Sequence, residues 1–227
     1  MRAPLSVVIP TLNAEVPLPS CLAALYEGVE VGVIRELIVV DGGSNDATRA
    51  IADEAGAMIL TALPSRGGQL GAGVEAARGD WVLCLHADTE LAPGWTDAVG
   101  AHMARGPDVA GYFRLGFDSG GASARAVARW ANVRSQVLGL PYGDQGLLMS
   151  RKLYREVGGY SEIPLMEDVA MARALKRRLR SLEHLAVTSA AKYQAQGWAR
   201  RGARNLWTLI RYFAGVSPER LAQSYRK

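Results

Sequence analysis

Acidic side chains recur in this chain directly after apolar runs, where a carboxylate can bind polar ligands, hold a cation or move a proton. Asp41 ends the run Glu36-Leu37-Ile38-Val39-Val40 and precedes Gly42 and Gly43, so it is placed to accept hydrogen bonds from a base or a ribose. The competing reading is an Asx-turn or a helix cap, a duty for which Asp46, ahead of Ala47 and Thr48, is better placed. Asp88 follows the strongest apolar run of the chain and offers a hard oxygen to Mg²⁺ or Mn²⁺, with substrate phosphates completing the coordination sphere. Its competing role is a cap ahead of Pro93. Strand alternation would turn His86 to the same face as Asp88. Glu167 and Asp168 open a helical pattern, where two acids complement the helix dipole. The polar loop Tyr142-Gly143-Asp144-Gln145-Gly146 lies upstream of them, and Asp144 and Gln145 become candidates for an acceptor pocket.

Positioning these side chains requires an α/β frame. Apolar runs at 5–10, 36–41, 57–61 and 81–88 alternate with helical patterns near 18–28, 46–55 and 68–78, which is the signature of βαβ units and a largely parallel sheet. The second half reads as α+β: helices near 93–104, 122–138 and 151–157, strands at 109–117 and 146–150, and a further helix from about 167. In open α/β sheets ligands bind beyond the carboxyl ends of the strands. Those ends are Pro10-Thr11-Leu12-Asn13, Asp41 to Asp46, and His86-Ala87-Asp88. The expected architecture is one domain over 1–197, with a nucleotide-binding half at 1–92 and an acceptor half at 93–197, followed by a basic extension at 198–227.

Several classes are excluded. The turn after the first strand has no glycine, and Gly71-Ala72-Gly73-Val74-Glu75-Ala76 falls inside a helical pattern, so a nicotinamide-dinucleotide fold does not fit. No GxxxxGK[ST] string is present. Cys21 and Cys84 lie in apolar surroundings without metal-ligand spacing and read as inert buried thiols. The N-terminal apolar run is too short for a signal peptide, and no apolar run is long enough to span a bilayer, so a cytoplasmic protein is expected. Residues 172–227 hold 13 of the 26 Lys and Arg but only two of the 22 acids, a net of +11 against −7 for the rest. Such a block favours an anionic partner. Within it Leu206, Trp207, Ile210 and Phe213 recur at helical spacing among arginines. That stripe either docks on the domain or lies at the inner face of an anionic membrane. A nucleic-acid partner is not expected, since no aromatic-interleaved basic platform or recognised motif occurs.

Taken together, the segments SVVIPTLNAE, VDGGSNDATRAIA, SRGGQLGAGVEAARGDWVLCLHADT and GDQGLLMSRKLYREVGGYSEIPLMEDVAMARAL resemble the family 2 glycosyltransferases of the dolichyl-phosphate mannose synthase-like group. The likeness covers roughly 4–198. It implies a GT-A fold, with a mostly parallel mixed sheet and helices on both faces, and transfer of a sugar from a UDP- or GDP-sugar to an acceptor hydroxyl. Under it Asp41 contacts the base, with Pro10, Thr11, Asn13 and Ala87 on the nucleotide side, and Arg66 reaches the nucleotide. Asp88 becomes the ligand of Mn²⁺ or Mg²⁺, and Asp168 the general base of an inverting transfer with Glu167 beside it. His86, Asp144, Gln145 and Trp198 fall on the acceptor or sugar side. His86 stands where the family often has the first acid of its DxD-like element, so the metal rests on Asp88 alone. Gln194-Ala195-Gln196-Gly197-Trp198 only partly echoes the family's QxxRW motif, and Trp198 either stacks on a sugar or packs. A non-catalytic nucleotide-sugar or phosphate-binding module is the alternative, against which the Glu167-Asp168 pair argues. The acceptor and the oligomeric state stay open.

Overall fold

Residues 3–225 are described by a computed structural model. The first strand, β1 (Leu5–Thr11), is buried along its whole length. It has parallel neighbours on both sides, β2 (Ile34–Asp41) and β4 (Trp81–Cys84), and β2 in turn pairs in parallel with β3 (Met58–Thr61). Strands buried on both faces read as continuous apolar runs, which is why this half is plain in the sequence. The helices α1 (Leu18–Glu30), α2 (Thr48–Glu54) and α3 (Arg66–Ala76) connect them.

Alternation along β1 and β2 sends side chains into two separate cores. Val7, Ile9 and Val39 pack with Leu18, Cys21 and Leu25 of α1 and with Trp95 and Val99 of α4 (Trp95–Met103). Val8, Ile38 and Val40 pack with Leu70 and Val74 of α3, and this second core continues through α6 (Arg151–Glu156) and α7 (Glu167–Leu175). Gly73 permits the close approach of α3, because a Cβ there would lie 2.3 Å from Val8 Cγ1. The Gly71-Ala72-Gly73 string is thus a packing face within a helix.

The sheet then becomes mixed. β7 (Leu147–Ser150) runs antiparallel to β4. Beyond it lie β6 (Ala110–Phe117), β8 (Leu179–Thr188) and the short edge strand β5 (Thr89–Leu91), in the order β3-β2-β1-β4-β7-β6-β8-β5. The helix α5 (Ala122–Leu138) packs on β6.

Three expectations need correction. The fourth strand ends at Cys84, so residues 85–88 leave the sheet and strand alternation does not govern His86 and Asp88. The strands β5 and β8 were not anticipated; in β8 the charged Arg180 and Glu183, the latter at φ +52°, interrupt the apolar alternation. Segment 198–227, of which 226 and 227 lie outside the described residues, packs on the rest of the chain. α8 (Ala191–Gln196) leads into α9 (Trp198–Phe213) and α10 (Pro218–Tyr225), and Leu209, Leu221 and Ala222 are buried, Leu209 and Leu221 within the second core. The docking face is not the expected one: Leu206, Trp207, Ile210 and Phe213 stay 42–60% exposed.

Candidate active site

The residues that leave β4 meet α7 and the C-terminal helices around one cavity of about 140 Å³. Asp88, His86, Arg66, Asp144, Glu167 and Asp168 all line it, although 80 positions separate Asp88 from Asp168. The cavity therefore brings together the acids of both halves of the chain.

Asp88 sits just before β5, where the chain turns back towards the sheet, and Thr188 Oγ1 donates to its carbonyl at 3.2 Å. Its Oδ2 accepts a hydrogen bond from Lys192 Nζ at 3.1 Å; Oδ1 has no partner among the described residues. Burial works against the ionised form of Asp88, but the neighbouring positive charges outweigh it and hold the carboxyl below its usual range. His86, Lys192 and Arg66 are those neighbours, and Lys192 adds its hydrogen bond. Burial first, and then the Arg66 charge, push His86 down to about 3. The His86 Nε2 is closed off without a hydrogen-bond partner against Gly143, where a Cβ would lie only 2.2 Å away.

Across the cavity, the left-handed Met166 (φ 70°) turns the chain into α7, and Glu167 and Asp168 occupy its first turn. Gly143 N–H donates to Asp168 Oδ2 at 3.0 Å, which fixes the carboxylate beside the 142–146 loop. Glu167 is 1% exposed, neither of its oxygens has a hydrogen bond, and its nearest cation is Arg66 Nη1 at 4.0 Å. Burial, reinforced by the charge of Asp168, raises its pKa to about 7. Asp144 Oδ1 is likewise buried without a partner. Burial, opposed by Arg134 and reinforced by Asp168 and Asp88, raises Asp144 to about 6. Glu167 and Asp144 thus keep their protons to higher pH than ordinary carboxyls, in a cavity that Asp88 and Asp168 also line.

Gln145 does not face the cavity, contrary to the acceptor-side expectation. It is fully buried; its Oε1 accepts from Ser135 Oγ at 2.6 Å and its Nε2 donates to Phe113 O at 3.0 Å, so it braces the loop that carries Asp144. Trp198 stays outside the cavity as well, stacked on Tyr193 at 4.9 Å and edge-on to Phe117 at 5.1 Å. Of its two readings, packing is the one observed.

Of the nucleotide-side residues Arg66 lines the cavity, whereas Thr11, Asn13 and Asp41 cluster with the turn after β2. Asp41 is fully buried: Oδ1 accepts from Ser44 Oγ and Thr11 Oγ1, and Oδ2 accepts from the Gly43 and Ser44 amides. Burial opposes its charge, yet these donors outweigh it and keep the carboxyl below its usual range. Both oxygens offered to a base or ribose are thus engaged by Asp41's own turn and Thr11. Pro10 is buried within β1, and Ala87 packs into the first core. Asn13, at φ 50°, ties the two loops: its amide donates to Ser44 Oγ at 2.8 Å and its Oδ1 accepts from Asn45 N at 2.9 Å. Asp46 caps Thr48, and Gln69 Nε2 donates to both Thr11 O and Val40 O, bracing the ends of β1 and β2.

Sequence reasoning missed several cavity residues: Lys192, Tyr193, Arg201, Asn205 and Tyr225. Apart from the basic block, no motif marks them. A chain of hydrogen bonds joins Tyr225 OH to Asn205 Oδ1 and Asn205 Nδ2 to Tyr193 OH, building one wall from α8, α9 and α10.

The residues present fit a divalent cation in one particular way. Among the described residues no three His, Cys, Asp or Glu gather as a cage. The free Oδ1 of Asp88 suits an ion held jointly with substrate phosphates, the usual mode for Mg²⁺.

The profile of the family described as glycosyl transferase family 2 matches residues 6–158. A TPR repeat-containing protein of Synechococcus elongatus is 43% identical over 83 residues, which cover 35% of this chain and 19% of that protein. The undecaprenyl-phosphate 4-deoxy-4-formamido-L-arabinose transferase of Pseudomonas aeruginosa is 35% identical over 118 residues, covering 48% of this chain and 35% of the transferase. The matched stretches thus span well under half of these relatives' own length. Glucosyl-3-phosphoglycerate synthase from Mycobacterium tuberculosis, solved with Mn²⁺ and UDP-glucose, superposes with a TM-score of 0.57 at 21% identity, covering 82% of this chain and 70% of the synthase. TarS from S. aureus superposes with a TM-score of 0.63 at 15% identity, covering 92% of this chain and 39% of TarS. These two likenesses are of fold, the GT-A arrangement of a mixed sheet between helical layers. On the match of its first two thirds, the chain belongs to glycosyl transferase family 2.

Proposed function

We propose that this chain transfers a sugar from a nucleotide-diphosphate sugar, a UDP- or GDP-sugar, to an acceptor hydroxyl with inversion. The observation that carries the reading is the shared cavity of Asp88 and Asp168. An inverting displacement needs a proton acceptor on one side of the anomeric carbon and positive charge on the other. Asp168, fixed by the Gly143 amide, takes the acceptor proton as its oxygen attacks. Arg66 and Lys192 offer positive charge to the departing diphosphate. Asp88 would hold Mn²⁺ or Mg²⁺, which supplies Lewis-acid neutralisation of that leaving group. Glu167 and Asp144, protonated up to about 7 and 6, reduce the negative charge facing the phosphates.

Donor binding is tested by thermal shift with a panel of nucleotide sugars and Mn²⁺, since a ligand bound only by the folded chain raises its melting temperature. One donor that shifts the transition and is then consumed with an acceptor supports the reading. A panel in which no donor shifts it contradicts the reading.

The exposed Leu206, Trp207, Ile210 and Phe213, flanked by arginines, support peripheral contact with an anionic membrane. Among the described residues no helix is long and apolar enough to cross one. Wild type should co-sediment with phosphatidylglycerol vesicles, and Trp207→Ala/Phe213→Ala should not. Equal sedimentation of the two would rule out this contact.

A further inference from the structure

Beside the catalytic cavity, and sharing Arg66, Lys192, Arg201 and Tyr225 with it, opens a cleft of about 500 Å³. Its lining holds five cations, Arg66, Lys192, Arg200, Arg201 and Arg204, and no acid. Arg66 and Lys192 lean on Glu167 and Asp88 at the cavity edge. Among the described residues Arg200, Arg201 and Arg204 have no ion pair.

Two further features make the cluster unfavourable without an anion. Arg200 and Arg201 stand in the first turn of α9, where the helix dipole is positive and cations are disfavoured, and Arg204 follows one turn on. Arg201 donates one Nη1 hydrogen bond to Gln196 at 3.0 Å and lies over the Tyr193 ring, yet its Nε is buried without a partner. A buried donor left unsatisfied is unfavourable, because its desolvation is not repaid. A group with several charged acceptor oxygens relieves all of these at once, and guanidinium forks match a phosphate bidentately.

We infer that this cleft binds a phosphate group carried by the acceptor, seated so that the acceptor's hydroxyl reaches Asp168. The inference rests on the transferase reading for the role of the ligand, but not for its binding. The phosphate belongs either to a soluble phosphomonoester or to a lipid headgroup, and the two sources separate experimentally.

Glycerol 3-phosphate and its uncharged twin glycerol are titrated calorimetrically into the full chain, with and without saturating UDP and Mn²⁺. Parallel sedimentation uses phosphatidylglycerol and phosphatidylcholine vesicles. Glycerol 3-phosphate should bind in the presence of UDP while glycerol does not, and Arg200→Gln/Arg201→Gln/Arg204→Gln should weaken it about tenfold or more. The control Arg78→Gln/Arg105→Gln, two exposed arginines outside the cleft, should bind as wild type. Selective binding of phosphatidylglycerol vesicles that the triple variant loses, with no response to glycerol 3-phosphate, would assign the phosphate to a lipid. The inference is overturned if UDP displaces glycerol 3-phosphate, which makes the cleft part of the donor site. It is also overturned if the triple variant, folded by circular dichroism, binds as wild type, or if neither phosphate source binds. Should the triple variant unfold, Arg204→Gln alone carries the comparison. Failure of every nucleotide sugar to bind, with the phosphate response intact, would sink the transferase reading and leave the cleft.

Discussion

Asp41 and Asp88 look alike in the sequence, each a carboxylate after an apolar run, and the structure gives them opposite circumstances. Both oxygens of Asp41 are taken by donors from Thr11, Gly43 and Ser44, whereas Asp88 keeps one oxygen free in the cavity. Which acid is free depends on the following three residues folding back, a geometry that strand pattern does not encode. Lys192, on Asp88 from 104 positions away, had no local signal at all. Glu167 yields a prediction about pH. In the unfolded chain its proton leaves at the ordinary value of 4.5, and in the folded chain it stays until about 7, through burial first and the Asp168 charge second. The folded state thus binds the extra proton, so this group's contribution is full below pH 4.5 and is lost as pH rises through about 7. Glu167→Gln removes the penalty of the buried charge. Its stability relative to wild type should grow by about 2–3 kcal/mol between about pH 5 and pH 8, read from denaturant melts. A difference that stays constant over that range would contradict the assignment.

Among the elements, α3 shows how packing joins the two halves. The first turn of this helix, which presents Arg66, abuts the 161–163 segment that leads to Glu167. A Cβ on Gly67 would lie 2.0 Å from Ser161 O and 3.1 Å from Ile163 N, atoms of backbone that cannot rotate away. Gly67→Ala should therefore cost about 1–3 kcal/mol, as overpacking does, and weaken donor binding. Gly71→Ala on the same helix meets nothing closer than 3.9 Å and should be neutral or stabilising, by up to about 1 kcal/mol of helix propensity. Equal melting temperatures for the two variants would show that this contact is not specific. The helix was plain in the sequence, but its contact partner, about 95 residues away, was not. The strands show a similar division: β1, β4 and the second half of β2 read clearly because they are buried on both faces, while β8 escaped notice because its exposed positions and the turn at Glu183 break the pattern.

For the molecule as a whole, the basic C-terminal segment packs on the rest of the chain through α9 and α10. Its charge and helical character were evident from composition, but its docking face was not. The face that docks carries Leu209, with Leu221 and Ala222 from α10, while the more conspicuous stripe points outward. Ending the chain at Gly197 removes these buried side chains, at about 1.5–3 kcal/mol for each leucine, and one wall of the cavity. That truncation should lose cooperative unfolding or melt far below the full chain in calorimetry. An unchanged transition would mean the helices are an appendage after all.

The most incisive test pairs donor binding with turnover in two variants, once a donor is found. Asp168→Asn should bind the donor and Mn²⁺ with wild-type affinity and turn over about a hundredfold or more slowly. Asp88→Ala should lose activity by weakened metal binding, be partly rescued by excess Mn²⁺, and mirror the effect of EDTA on wild type. Full turnover in Asp168→Asn, or an EDTA-insensitive wild type, would contradict a cavity in which a proton acceptor and a cation flank the same sugar.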